Sequence, residues 1–233
     1  MPNPSGTPMR WLILLLALAV GWYGFGALRQ ARLHTKIAPA DVQHVAMNWA
    51  MNTPSRATAE ESELIVRWFN EARNPRRDRD NMGHTTTVGV VFITLTSGER
   101  VDLRPEGQDF AAGQRGNYYY LEHPQLAALL RSLDRVNELR FKASGGGAFP
   151  ETVREIFSVR VTDSAGAPLR GATVRFPELY VEMETNETGV AGPFIIAVPA
   201  GVPFPYKIEV SKPGCPETSP GAPGATVQLA NCK

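Results

Sequence analysis

Trp11–Leu28, WLILLLALAVGWYGFGAL, is a run of eighteen residues without a charge. That is about the length an α-helix needs to cross the hydrocarbon core of a bilayer. A helix satisfies its own backbone hydrogen bonds in lipid, and the Leu, Ile, Val and Ala at its centre gain by transfer out of water. Trp22, Tyr23 and Phe25 fall where aromatic rings meet the headgroups. The run therefore reads as a transmembrane signal anchor behind a polar tail, residues 1–10. A cleaved secretory signal, with Gly24 and Gly26 near the cut, is one alternative; a buried helix of a soluble protein is another. No cysteine follows the run closely, which excludes a lipoprotein signal.

Orientation is set by flanking cations, and here the flanks conflict with the rest of the chain. Arg10 precedes the run while Arg29, Arg32 and Lys36 follow it, a distribution that favours a cytoplasmic body. Long domains are translocated largely regardless of charge, however, and the downstream chain has an extracytoplasmic character. The expectation is a single-pass protein of the cell membrane, held there by residues 11–28 with its bulk outside.

Charge then narrows the partners. Lys and Arg number 24 against 23 Asp and Glu, a net +1, so nucleic acid is not an expected partner. No cofactor-binding motif is present, and none is expected to be needed. Cys215 and Cys232, the two cysteines, are too few for a cysteine zinc site unless His or carboxylates complete it. In an oxidising compartment they would pair and pin the C-terminal strand; in a reducing one they would be free thiols.

Residues 29–57 read as a connector in which Asp41–Met51, DVQHVAMNWAM, forms a short helix, with Val42, Val45, Ala46 and Trp49 near one face. A longer helix begins at Thr58. Glu60, Glu61 and Glu63 suit the positive end of its dipole, and Leu64, Ile65, Trp68, Phe69 and Ala72 make one apolar stripe. It should stop near Asn74, before Pro75. Thr85–Thr96 and Glu99–Leu103 form a hairpin about Ser97-Gly98. A loop with Gly107, Gly113 and Gly116 precedes a third strand, Tyr118–Leu121. Pro124 opens a helix in which Leu126, Leu129, Leu130 and Leu133 share a face. The result is a small α+β domain over residues 58–141, an antiparallel sheet covered by helices.

Lys142–Pro150, KASGGGAFP, cannot continue a helix, so residues 142–154 read as a Gly-rich hinge. Residues 155–233 are all-β. Short alternating segments recur at Phe157–Val161, Ala172–Phe176, Leu179–Thr185, Pro193–Val198, Tyr206–Val210 and Thr226–Leu229, separated by Gly, Pro and Asn. That spacing implies an Ig-like β-sandwich.

Two stretches resemble known families. VGVVFITLTSGERVDL followed by YYYLEHPQLAALLRSL, behind a helix carrying Trp68 and Ala72, resembles the YhfM-like domain of Gram-positive extracytoplasmic lipoproteins. The likeness implies a layout over residues 58–135 and no activity. The chain departs from it in lacking the lipobox cysteine and in having Arg104-Pro105 where aromatic residues are usual. The second stretch is similar to the carboxypeptidase regulatory-like, transthyretin-type sandwich. Gly166, Pro168, Leu169, Gly171, Ala172 and Val174 match its G-x-P-[LV]-x-G-A-x-V segment, and Thr185, Asn186 and Gly189 its T-[DN]-x-x-G turn. This likeness implies a non-catalytic spacer, adhesion unit or folding support.

Two clusters are candidate ligand surfaces. Arg73, Arg76, Arg77 and Arg79 form the densest cationic run, suited to an anionic envelope polymer or headgroup, though interleaved with Asp78 and Asp80. Tyr118 and Tyr120 can stack on a sugar or peptide, whereas Tyr119 must point the other way in a strand. His84 and His123 lack a neighbouring nucleophile motif, so no catalytic residue is assigned. Together these features describe a non-enzymatic envelope protein that binds an envelope polymer or another envelope protein. Competing readings are an envelope hydrolase with a regulatory sandwich and a membrane-bound regulator facing the cytoplasm.

Overall fold

The computed structural model describes residues 15–16, 33–49, 54–77, 89–107, 109–114, 116–148, 150–216, 218 and 222–229. Of the apolar run only Leu15 and Leu16 fall within these; both are helical and exposed. Among the described residues no helix is long and apolar enough to cross a membrane. The chain is mostly β-sheet with two long helices, α1 (Ala59–Glu71) and α2 (Pro124–Ser144).

Seven antiparallel strands make the first sheet: β1 (Val42–Trp49), β2 (Ser55–Arg56), β3 (Arg73–Arg77), β4 (Gly89–Leu95), β5 (Arg100–Glu106), β6 (Asp109–Gln114) and β7 (Asn117–Glu122). Their order is β2-β1-β4-β5-β6-β7-β3. Period-two alternation sends Val45, Met47, Val91, Ile93, Val101, Leu103, Phe110, Ala112, Tyr119 and Leu121 to one face. Both helices cover that face. Ile65, Trp68 and Phe69 of α1 and Leu126, Leu129, Leu130 and Leu133 of α2 complete the core. α1 starts with a capping box: Thr58 Oγ1 accepts from Glu61 N, and Glu61 Oε2 accepts from Thr58 N at 2.7 Å.

Three local expectations are corrected. Within the segment expected to be a helix, Asp41–Met51, Val42–Trp49 form the strand β1. A bulge between Val42 and His44 turns Val42 and Val45, three residues apart, toward the same core, so a strand imitates helical spacing. The connector is therefore a central part of the sheet. α1 ends at Glu71 rather than near Asn74, because the chain turns at once into the edge strand β3, with Asn74 at φ 52. Lastly, the Gly-rich loop contains β6. Gly113 sits mid-strand with the Tyr118 ring against it, occupying the space of a Cβ, a cross-strand contact that removes the usual penalty for strand glycine.

The C-terminal part is a two-sheet sandwich. One sheet runs β10-β9-β12 and the other β11-β8-β13, built from β8 (Thr152–Thr162), β9 (Thr173–Phe176), β10 (Val181–Glu184), β11 (Val190–Pro199), β12 (Glu209–Ser211) and β13 (Thr226–Gln228). Phe176, Phe194, Val174, Val161 and Ile196 fill the space between. The motif residues noted above hold its turns. Gly171 and Gly189 take φ 68 and 70, and a Cβ on Gly189 would meet Val161 O at 2.5 Å. Buried Thr185 donates from Oγ1 to Leu169 O at 2.6 Å and accepts from Ala172 N at 3.0 Å. Cys215 is disulfide-bonded; Cys232, the other cysteine of the chain, lies outside the described residues.

The hinge does not separate two independent bodies. α2 runs to Ser144 and is closed by Gly145 in the left-handed region; β8 starts at Thr152. Residues Gln125–Leu133 are buried without a break, because α2 has two apolar faces. One lies on the first sheet. The other, with Ala127 and Ala128, enters the sandwich core, while Ile195 and Ala197 of β11 enter the first core. Ser132 Oγ accepts from Ala197 N at 2.9 Å and so satisfies an amide of the edge strand β11. Buried Arg131 donates to Tyr180 O at 2.8 Å and also to Leu179 O and Gly107 O. Arg154 of β8 pairs with Glu61 of α1, the side chains 11% and 4% exposed, and donates to Ser55 Oγ at 3.1 Å.

Arg154→Ala should destabilise the chain by about 3–5 kcal/mol, since it strands a buried carboxylate. Urea unfolding of the full-length protein should register it as one shifted transition covering both halves. Gly89→Ala places a Cβ 2.6 Å from Asp134 N and 2.8 Å from Leu130 O on α2, and should lower stability by about 1–3 kcal/mol in the same assay.

Candidate functional site

The face of the first sheet turned away from the helices holds the site. Cross-strand register fixes its rows. Phe92, Asp102, Gly113 and Tyr118 form one; Thr94 and Arg100 a second; Arg104, Ala111, Tyr120 and Arg76 a third. Tyr118 and Tyr120 are therefore on this face and half-buried, while Tyr119 between them is fully buried in the core.

Pairing of β3 with β7 brings together two clusters that are separate in sequence. Arg76 is opposite Tyr120, Arg77 opposite Tyr119 and Arg73 opposite Glu122. All three arginines are exposed. Arg79, like His84, lies outside the described residues.

The charges on this face are largely paired. Arg76 contacts Asp109 and lies 3.5 Å from Glu122 Oε1. Arg100 forks onto Asp102 at 2.7 and 3.3 Å, and its guanidinium lies 4.7 Å from the Phe92 ring centroid. Arg104 is 3.9 Å from the same Asp102. A shallow depression of about 470 Å³ runs between Tyr118, Arg100 and Asp102 over Gly113 and Gly116. Sequence reasoning missed Phe92, Arg100 and Asp102. The alternation of Arg100-Val101-Asp102-Leu103-Arg104 carried the information, since it puts three charged groups on one side of a strand.

Planar guanidinium–carboxylate pairs beside accessible rings can do two things. They offer fixed donors and acceptors to hydroxyls, and the rings offer apolar faces to stack on. Among the described residues no group of His, Cys, Asp and Glu is arranged to hold a metal ion.

Of the described histidines of the first unit, His44 of β1 is in register with Thr94 on this face, whereas His34 and His123 are away from it. His34 packs edge-on to Phe69, 4.6 Å between centroids, with Nδ1 3.4 Å from Tyr119 Oη; burial lowers its pKa. His123 stacks near Trp68, and burial, reinforced by Arg73 and Arg67, lowers its pKa to about 4. A histidine that titrates lower in the folded than in the unfolded state stabilises the fold only while neutral. Its contribution is complete above pH 6.5 and is lost as pH falls toward 4. His123 alone should thus remove roughly 3 kcal/mol of stability across that window. Urea midpoints between pH 7 and 4 should fall less steeply in His123→Gln than in the wild type.

The chain was compared with protein-family models, with curated proteins and with solved structures, and it matches none of them.

Proposed function

We propose that this chain is a membrane-anchored, non-catalytic envelope protein that holds a neutral carbohydrate polymer on the open face of its first sheet. The observation that carries the reading is the pairing of rings with neutralised charge: Tyr118 and Tyr120 stand beside Arg76–Asp109 and Arg100–Asp102. Exposed arginines free of carboxylates would favour a polyanion. These arginines are already compensated, so the face suits a ligand with many hydroxyls and little charge. The anchor at residues 11–28 and an extracytoplasmic orientation belong to the same proposal, as do the YhfM-like likeness of the first unit and the transthyretin-like identity of the sandwich. In it the sandwich acts as a support for the binding unit, which agrees with the core that α2 shares between them.

Sedimentation of the full-length protein with an insoluble, uncharged envelope glycan tests the reading. Tyr120→Ala should reduce the bound fraction by roughly tenfold, as expected for a lost stacking contact. Binding should change little when salt is raised several-fold, because screening acts on charge and not on stacking. Retention lost at high salt, with Tyr120→Ala indistinguishable from wild type, would replace this reading with polyanion binding.

A further inference from the structure

The first unit carries a second concavity, on the opposite side of β1 from the rows described above. The outer face of α1, the start of β1 and the residues preceding it enclose a groove of about 540 Å³, a size that suits a small ligand. Val42 and Val66 supply an apolar floor, and Val66 is itself buried in the core cluster. Lys36, Glu63, Arg67, Glu71 and His44 stand around it, Glu71 lying 3.8 Å from His123 Nε2.

Two features distinguish this lining from an ordinary helix surface. Glu63 and Arg67 are one turn apart on α1, the spacing at which opposite charges normally close on each other. Yet among the described residues Lys36, Glu63 and Arg67 make no ion pair, with one another or with anything else. Nδ1 of His44 is also buried without a hydrogen-bond partner. The strand that covers the neighbouring edge stops short, because β2 pairs only with Ala46 and Met47, and Ala57 N donates to Val45 O at 2.9 Å. The groove thus combines an apolar floor with uncompensated charges of both signs. A polyanion would meet Glu63, and a polycation would meet Lys36 and Arg67. The complement is a molecule with an apolar body and a charge of each sign.

We propose that this groove binds a short zwitterionic peptide with an apolar side chain, the side chain on Val42 and Val66, the carboxylate against Lys36 and Arg67 and the ammonium against Glu63. The site is independent of the sheet face, so neither proposal depends on the other.

Titration calorimetry of the full-length protein in detergent with leucyl-leucine, its C-terminal amide and its N-acetyl form is the test. Leucyl-leucine should bind, and the amide and Arg67→Ala should each weaken it roughly tenfold, as expected for loss of a charge-assisted hydrogen bond. The N-acetyl form should bind wild type more weakly than the free dipeptide but bind Glu63→Gln as well as the dipeptide does. Arg67→Ala lies on an exposed helix position, and an unchanged melting temperature will show that it is folded. No binding of leucyl-leucine at about 10 mM, where even a millimolar site fills, overturns the proposal. So does equal binding of acid and amide, or of wild type and a folded Arg67→Ala.

Discussion

Everything in this architecture depends on α2 being buried on two sides at once. A helix that serves one sheet needs a single apolar stripe, and Leu126, Leu129, Leu130 and Leu133 provide it for the seven-stranded sheet. Ala127 and Ala128 add a second stripe of small side chains, which lets β11 approach closely enough for Ser132 to reach its backbone amide. The polar groups that this burial would otherwise leave unsatisfied are accounted for. Arg131, buried within the helix, spends its donors on three carbonyls, two from the sandwich and one from the turn after β5. Removing α2 would expose both cores together.

The same arrangement decides where a ligand surface can lie. With both helices on one face of the first sheet, the other face is left half-open, and its side chains are set by register alone. That face is neither a hydrophobic patch nor a charged one. Its arginines are matched by Asp102, Asp109 and Glu122, and its rings are spread over β4 and β7. The groove beside α1 has the opposite character, since Lys36, Glu63 and Arg67 have no ion-pair partner among the described residues and stand around an apolar floor. The contrast between compensated and uncompensated charge is what separates a stacking surface from a site for a charged small molecule.

Local signals identified most of the elements. Thr58 and the glutamates after it marked the start of α1, Pro124 the start of α2, and Ser97-Gly98 the β4–β5 turn. The sandwich strands were legible from alternation between Gly, Pro and Asn turns. Two expectations fail for one cause, which is that a local pattern does not contain its partner strand. The bulge in β1 disguises a strand as a helix, and Gly113 disguises β6 as a loop.

The sequence by itself determined the elements whose causes lie within a few residues: the caps, the alternating strands, the turn glycines and the inward-facing Tyr119. It also supplied both halves of the candidate surface, the arginines and the tyrosines, without their relation. Tertiary structure alone decided that β3 lies beside β7, that Arg76 meets Asp109, and that α2 joins two cores across the glycines after Ser144. Each of these is a contact between residues distant in the chain, chosen by which apolar faces can be buried together. No local window of the chain contains that competition.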